Sequence, residues 1–135
     1  MKVEGTCHCQ AVRFEAEIDP ATVSICNCTD CQVLSGSAYR VSAPAPAETF
    51  RLLGGKPKAY VKTAESGNKR RHFFCGDCGT AVFATAPVDA PTSYMLRVST
   101  LKQRTQLTPR RQIWTRSALP WSRDLSGIPG IERQP

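Results

Sequence analysis

Hydrophobic and polar positions along this chain alternate more often than they recur at helical spacing. Between residues 10 and 18 the apolar Val12, Phe14, Ala16 and Ile18 are separated by Arg13, Glu15 and Glu17. A period of two predicts a strand with one buried face. Asp19-Pro20 ends it as a turn. Residues 21–25 predict a second short strand that delivers Cys26 at its end. Thr29-Asp30 predicts the cap of a short helical turn running through Leu34 and stopped at Ser35-Gly36. Residues 39–42 predict another strand. Residues 43–47, Ala-Pro-Ala-Pro-Ala, predict a connector, because two prolines remove ladder donors. Residues 50–53 and 59–62 around Gly54-Gly55 predict a hairpin. After a turn at 65–68, residues 69–74 and 81–84 predict an antiparallel pair on either side of Cys75 and Cys78. Residues 94–98 and 112–114 predict later strands, and the tail from about residue 117 is irregular, with Pro120, Gly127, Pro129 and Gly130.

Many short strands, frequent turns and little helix predict a mainly β fold of small stacked antiparallel sheets. A length of 135 residues suits one domain, 1–135, with a core of its own. There is no internal repeat and no linker. No apolar run approaches the roughly 20 residues of a membrane helix, and the first residues lack the apolar core of a secretory signal. The expected location is the cytoplasm, with no membrane partner.

Charge adds a second possibility. Residues 1–68 hold seven Lys/Arg and seven Asp/Glu, whereas residues 69–135 hold eleven against four, so the whole net charge of +7 lies in the second half. Lys69-Arg70-Arg71 and Arg110-Arg111 are its densest runs. A basic half suits an anionic partner, nucleic acid included, but no nucleic-acid motif accompanies it. A solvated basic surface explains it equally well.

The cysteines carry the chemistry. There are seven, an odd number, in three clusters: Cys7-x-Cys9, Cys26-x-Cys28-x2-Cys31 and Cys75-x2-Cys78. Without a secretion signal this is a poor disulfide framework and a good metal-binding one. Thiolates are soft ligands for tetrahedral zinc, and close spacing lets one turn present two sulfurs to one ion. Cys75-Gly76-Asp77-Cys78-Gly79 is a turn between apolar strands. A thioredoxin-like redox pair has this spacing too, but needs a βαβ setting. Cys7 and Cys9 paired with Cys75 and Cys78 form a closed four-cysteine site, which predicts a structural zinc that staples the fold. Such an ion contributes roughly 10–16 kcal/mol in small zinc peptides, against a net domain stability of about 5–15 kcal/mol. Cys26, Cys28 and Cys31 are three ligands within six residues. Three protein ligands and one open position are the pattern of a catalytic zinc, where a water or a substrate thiol completes the shell. A fourth protein ligand would close that site, and Asp30, His8 and His72 are the candidates. Trp114 and Trp121 are expected to pack in the core.

These residues resemble the glutathione-dependent formaldehyde-activating enzyme family, which includes the centromere protein V domain. The resemblance rests on Gly5-x-Cys7-x-Cys9-x2-Val12-x-Phe14, Cys26-x-Cys28-x2-Cys31-x4-Gly36 and Phe74-Cys75-x2-Cys78-Gly79, in order over residues 5–121. It implies a β-tent-like stack of sheets. It also implies a structural zinc on Cys7, Cys9, Cys75 and Cys78 and a catalytic zinc on Cys26, Cys28 and Cys31. The activity it implies is condensation of formaldehyde with glutathione, classed as a carbon–sulfur lyase. The expected function is therefore a zinc-dependent carbon–sulfur lyase acting on a small thiol adduct, with glutathione as the thiol. One alternative is a zinc-stabilised binding module for nucleic acid or another anion. Another is a metal or thiol sensor without turnover. No glutathione-binding set and no general base can be assigned from the residues alone.

Overall fold

Alternation begins earlier than residue 10. In the computed structural model, which describes residues 1–134, the chain opens with β1 (Lys2–Thr6), whose Val3 and Gly5 face inward. It pairs antiparallel with β2 (Arg13–Glu17), placing Gly5 opposite Phe14. The Phe14 ring lies flat over Gly5, and a Cβ there would sit 2.1 Å from Phe14 Cζ. A glycine at this position lets the largest side chain of β2 fold back across β1.

Residues 20–22 form a 3₁₀ turn, not part of a strand, because Pro20 follows the Asp19 cap; the strand delivering Cys26 is the shorter β3 (Ser24–Cys26). Helix α1 (Thr29–Ser35) starts one residue earlier than the sequence suggested, with Cys28 as its cap, and ends at Gly36 with φ 66°. Strand β4 (Arg40–Pro46) runs straight through the expected connector. Its partner β3 reaches only Ser42, so beyond that point β4 is paired on one side only, with β9 (Ser93–Arg97). Ala47 N–H bonds to Thr92 C=O on the β9 side. Alternation then turns Pro46 and Pro44, one and three residues before, toward the unpaired edge, where a missing donor costs nothing.

The expected hairpin over 50–62 does not form. Strand β5 (Arg51–Gly54) pairs with β2, and β6 (Lys58–Thr63) pairs with β7 (Lys69–Phe74) in the other sheet. Gly55, at φ 83° and tight against the Ala11 carbonyl, passes the chain from one sheet to the other. Strands β7 and β8 (Ala81–Thr85) are the antiparallel pair expected around Cys75 and Cys78. Strand β10 (Arg111–Ile113) closes the far edge by a parallel pairing with β3.

The result is a three-stranded sheet, β1-β2-β5, on a seven-stranded sheet, β10-β3-β4-β9-β8-β7-β6. The mainly β expectation stands, with one helix. Phe14, Val3 and Val12 of the small sheet pack on Ala43, Ala45, Val82, Phe83 and Leu96 of the large one. Phe50 stacks on Tyr94 at 3.8 Å, and Phe14 meets Phe83 edge-on at 5.6 Å. Trp114 and Trp121 are not in this core: they are 40% and 55% exposed. Trp114 follows the edge strand, where no second layer exists to cover it. From residue 114 onward the described tail holds only short 3₁₀ turns. Among the described residues no helix is long and apolar enough to cross a membrane.

The opposite face of the large sheet is polar. Pairing registers place Cys26 beside Arg40, Ser42 beside Arg97, His72 in line with Ala84 and Met95, and Lys62 beside Arg70. Helix α1 lies over this face, with Asp30 reaching Lys62 at 2.9 Å.

Candidate metal centres

Two turns meet to form the four-cysteine group. Cys7 and Cys9 lie in the turn between β1 and β2, and Cys75 and Cys78 in the turn between β7 and β8. Their four sulfurs lie within 4.8 Å of one another. Cys9 Sγ is 3.7 Å from both Cys7 Sγ and Cys75 Sγ. A tetrahedral ion with bonds near 2.3 Å requires sulfurs about 3.8 Å apart, so the group fits a tetrathiolate metal. Local donors are already aimed at the sulfurs. Val12 N–H donates to Cys7 Sγ at 3.2 Å, and the Thr80 hydroxyl lies 3.2 Å from Cys78 Sγ. The Thr80 contact and then the Cys9 backbone N–H hold the Cys78 thiol down at about 5. The setting is a β-turn between antiparallel strands, not a βαβ unit, so the redox reading of Cys75 and Cys78 has no support.

The other three cysteines owe their convergence to one strand end and one helix start. Cys26 is the last residue of β3, Cys28 caps α1, and Cys31 lies in the first turn. Cys28 Sγ accepts from Cys31 N–H at 3.3 Å, so the thiol takes the part of an N-cap oxygen. The intervening Asn27 is 1% exposed. Its backbone N–H and side-chain amide both donate to Ile113 C=O at 3.1 Å, and the amide also reaches Gln112. Gln32 of α1 donates to Asn27 C=O and Ser117 C=O, each at 2.9 Å. The cysteine loop is thus tied to β10 and the segment after it.

The three sulfurs also lie within 4.8 Å of one another, and among the described residues no histidine or carboxylate joins them. The expected closing ligands are engaged elsewhere. Asp30 bonds to Lys62, His72 meets Arg97, and the His8 backbone bonds to Thr80 beside the other group. A hydrogen bond from the Cys26 thiol, followed by Cys28 and the charge of Arg40, holds Cys31 down at about 5. The same contact with Cys31 pushes Cys26 up. One of the three is therefore ionised in advance, and binding a divalent ion displaces protons from the others.

Beneath the trio lies a set of cations that the sequence did not single out. Arg40 and Arg97 are each 5% exposed. Arg97 donates to Ser42 Oγ and to His72 Nδ1, both at 3.0 Å. Burial and then the charge of Arg40 bring the Arg97 guanidinium down to about 9. The two basic runs do not merge into one patch. Strands β7 and β10 stand five positions apart in the large sheet, about 24 Å at normal strand spacing. The nucleic-acid alternative gains no surface from the fold. A separate groove of about 520 Å³ on the small sheet is lined by Glu4, Glu15, Glu17 and Glu48 and touches no cysteine.

Comparison with known proteins agrees with this geometry. A Halomonas elongata protein carrying the name glutathione-dependent formaldehyde-activating enzyme is 28% identical over 91 residues, 64% of this chain. The chain spans 58% of that relative's length. The crystal structure of a Rhodobacter sphaeroides protein superposes with a TM-score of 0.61 at 25% identity, covering 83% of this chain and 99% of the other. The profile of the glutathione-dependent formaldehyde-activating enzyme family matches residues 2–117, which include all seven cysteines; the chain belongs to that family.

Proposed function

We propose that this chain is a zinc-dependent carbon–sulfur lyase that joins a small thiol, glutathione first, to formaldehyde or a related aldehyde. The observation that carries this reading is the trio Cys26, Cys28 and Cys31, three half-buried sulfurs at metal-binding separation with no fourth ligand beside them among the described residues. The closed group of Cys7, Cys9, Cys75 and Cys78 is assigned the structural ion. At the trio, Zn²⁺ supplies a Lewis acid that favours the thiolate form of a substrate thiol at neutral pH.

The remaining work falls to the chain. Cys28 fixes the trio by capping α1, and Asn27 and Gln32 hold the loop against β10. Arg40 lies cross-strand from Cys26 and favours negative charge at the sulfurs. In the addition direction the thiol sulfur bonds to the aldehyde carbon, the carbonyl π pair moves to oxygen, and that oxygen takes up the proton lost by the thiol. The product is a hydroxymethyl thioether, and the reverse reaction breaks the same carbon–sulfur bond.

The test is exchange NMR of formaldehyde with glutathione, compared with the spontaneous rate, alongside metal analysis. Wild type should accelerate exchange and hold two zinc ions per chain. Cys28→Ala should hold one and return exchange to the spontaneous rate, with its circular dichroism spectrum kept. Full acceleration by a folded Cys28→Ala variant would refute the assignment.

A further inference from the structure

Buried guanidinium groups normally meet a carboxylate or a full set of acceptors, because an unpaired buried charge is costly. Arg40 and Arg97 break that rule. Nε and Nη2 of Arg40 and Nε of Arg97 are buried without a hydrogen-bond partner. None of the ion pairs among the described residues includes either arginine. The groups that do bond Arg97, Ser42 and His72, are a neutral hydroxyl and a ring held neutral. Three thiolates on a divalent ion carry about one negative charge, which offsets one guanidinium and leaves the other.

Both arginines also line a cavity of about 640 Å³, together with Ser35, Tyr39, Arg104 and Thr105. That volume lies within the range of small-molecule sites. Arg104 adds a third cation, and no acidic residue lines the cavity. Arg40 is the cross-strand neighbour of Cys26, so its backbone lies about one strand spacing, ~5 Å, from that of the cysteine. A planar guanidinium with a free Nε and Nη2 edge has the fork geometry that holds a carboxylate by two parallel bonds.

We propose that Arg40 and Arg97 bind a carboxylate of the thiol substrate, so that the site takes small thiols bearing a carboxylate and discriminates against uncharged ones. The proposal rests on the thiol-binding reading above and narrows its substrate class. It makes the two arginines specificity-determining residues, separate from the cysteines.

The experiment is calorimetric titration of zinc-loaded protein at physiological salt, which screens long-range attraction. The probes are two matched pairs: glutathione against its diethyl ester, and 3-mercaptopropionate against 3-mercaptopropionamide. The acids should bind about ten- to a hundredfold tighter, as expected for a charge-assisted pair. Arg40→Gln and Arg97→Gln should bring the ratio near one with zinc content unchanged. Should either variant misfold, the wild-type ratios alone decide the matter. Equal affinity of acid and amide in wild type would overturn the proposal and leave the arginines as counter-ions of the thiolates. Preference for 3-mercaptopropionate without any binding of glutathione would uphold the carboxylate site and refute glutathione as the thiol. Failure of every thiol to bind would overturn both.

Discussion

His72 shows how far a single ring can be moved from its usual behaviour. Its Nδ1 meets Arg97 Nη2 at 3.0 Å, and because a guanidinium only donates, Nδ1 accepts and the ring proton sits on Nε2. Burial, then the charges of Arg97, Arg40, Lys62 and Arg70, lowers its pKa from 6.5 to about 3. The unfolded chain binds a proton near 6.5 and the native one only near 3. Stability from this group is therefore complete above about pH 6.5 and is lost as pH falls toward 3. Metal ligands also take up protons on acidification, so the comparison must be differential. Between pH 7.5 and 5, the denaturation midpoint of wild type should fall further than that of His72→Gln, whose amide still offers Arg97 an acceptor. Equal falls would remove the histidine from the account. At this scale the sequence was uneven as a guide. Spacing alone sorted all seven cysteines into the two groups that the fold assembles. Arg40 and Arg97 were invisible, because each shares its strand face with Ser42 or Met95, and that face reads as a solvated one. Tertiary structure buries both, each 5% exposed.

Elements position the trio through an arrangement that depends on one buried amide. The loop between β3 and α1 is held to the parallel edge strand β10 by Asn27, 1% exposed and bonded through backbone and side chain to Ile113. Asn27→Leu keeps similar bulk but leaves the Ile113 and Gln112 acceptors short of a donor, which costs about 1–3 kcal/mol. The expected result is a lower melting temperature, with metal at the trio lost on dialysis while metal at the four-cysteine group stays. Unchanged retention at the trio would mean that the cysteines and α1 fix the loop without β10. Strands with clean alternation, β2 among them, were legible in sequence. Pairing was legible for β7 and β8, which flank the Cys75–Cys78 turn, but not for β4, β5 and β6, because there it depends on where a neighbour ends. Pro44 and Pro46 enter a strand because β3 stops at Ser42. The residues on either side of Gly54-Gly55 join different sheets because Gly55 packs on the Ala11 backbone. Neither fact has a local signature.

For the whole molecule, the two cysteine groups differ in what they connect. The trio joins residues 26–31, a single local segment, so losing an ion there should leave both sheets intact. The four-cysteine group joins the first turn of the small sheet to the β7–β8 turn of the large one, with Cys9 Sγ 3.7 Å from Cys75 Sγ across 66 residues. Cys7 and Cys75 are 1% and 2% exposed and belong to the same core as Phe14 and Leu96. An ion bound by four thiolates there contributes roughly 10–16 kcal/mol. At the middle of both ranges that exceeds the typical net stability of about 5–15 kcal/mol. Removal of metal by a chelator should therefore proceed in two stages. The first ion should leave from the trio, which has three ligands against four, with the far-ultraviolet spectrum unchanged. The second should leave only as the fold is lost, at a rate set by unfolding and so insensitive to chelator concentration. Thiol titration during the reaction would then report three accessible cysteines before the remaining four. Simultaneous loss of both ions, or loss of the second ion from a protein that keeps its melting transition, would contradict the division into one local centre and one that holds the sheets together.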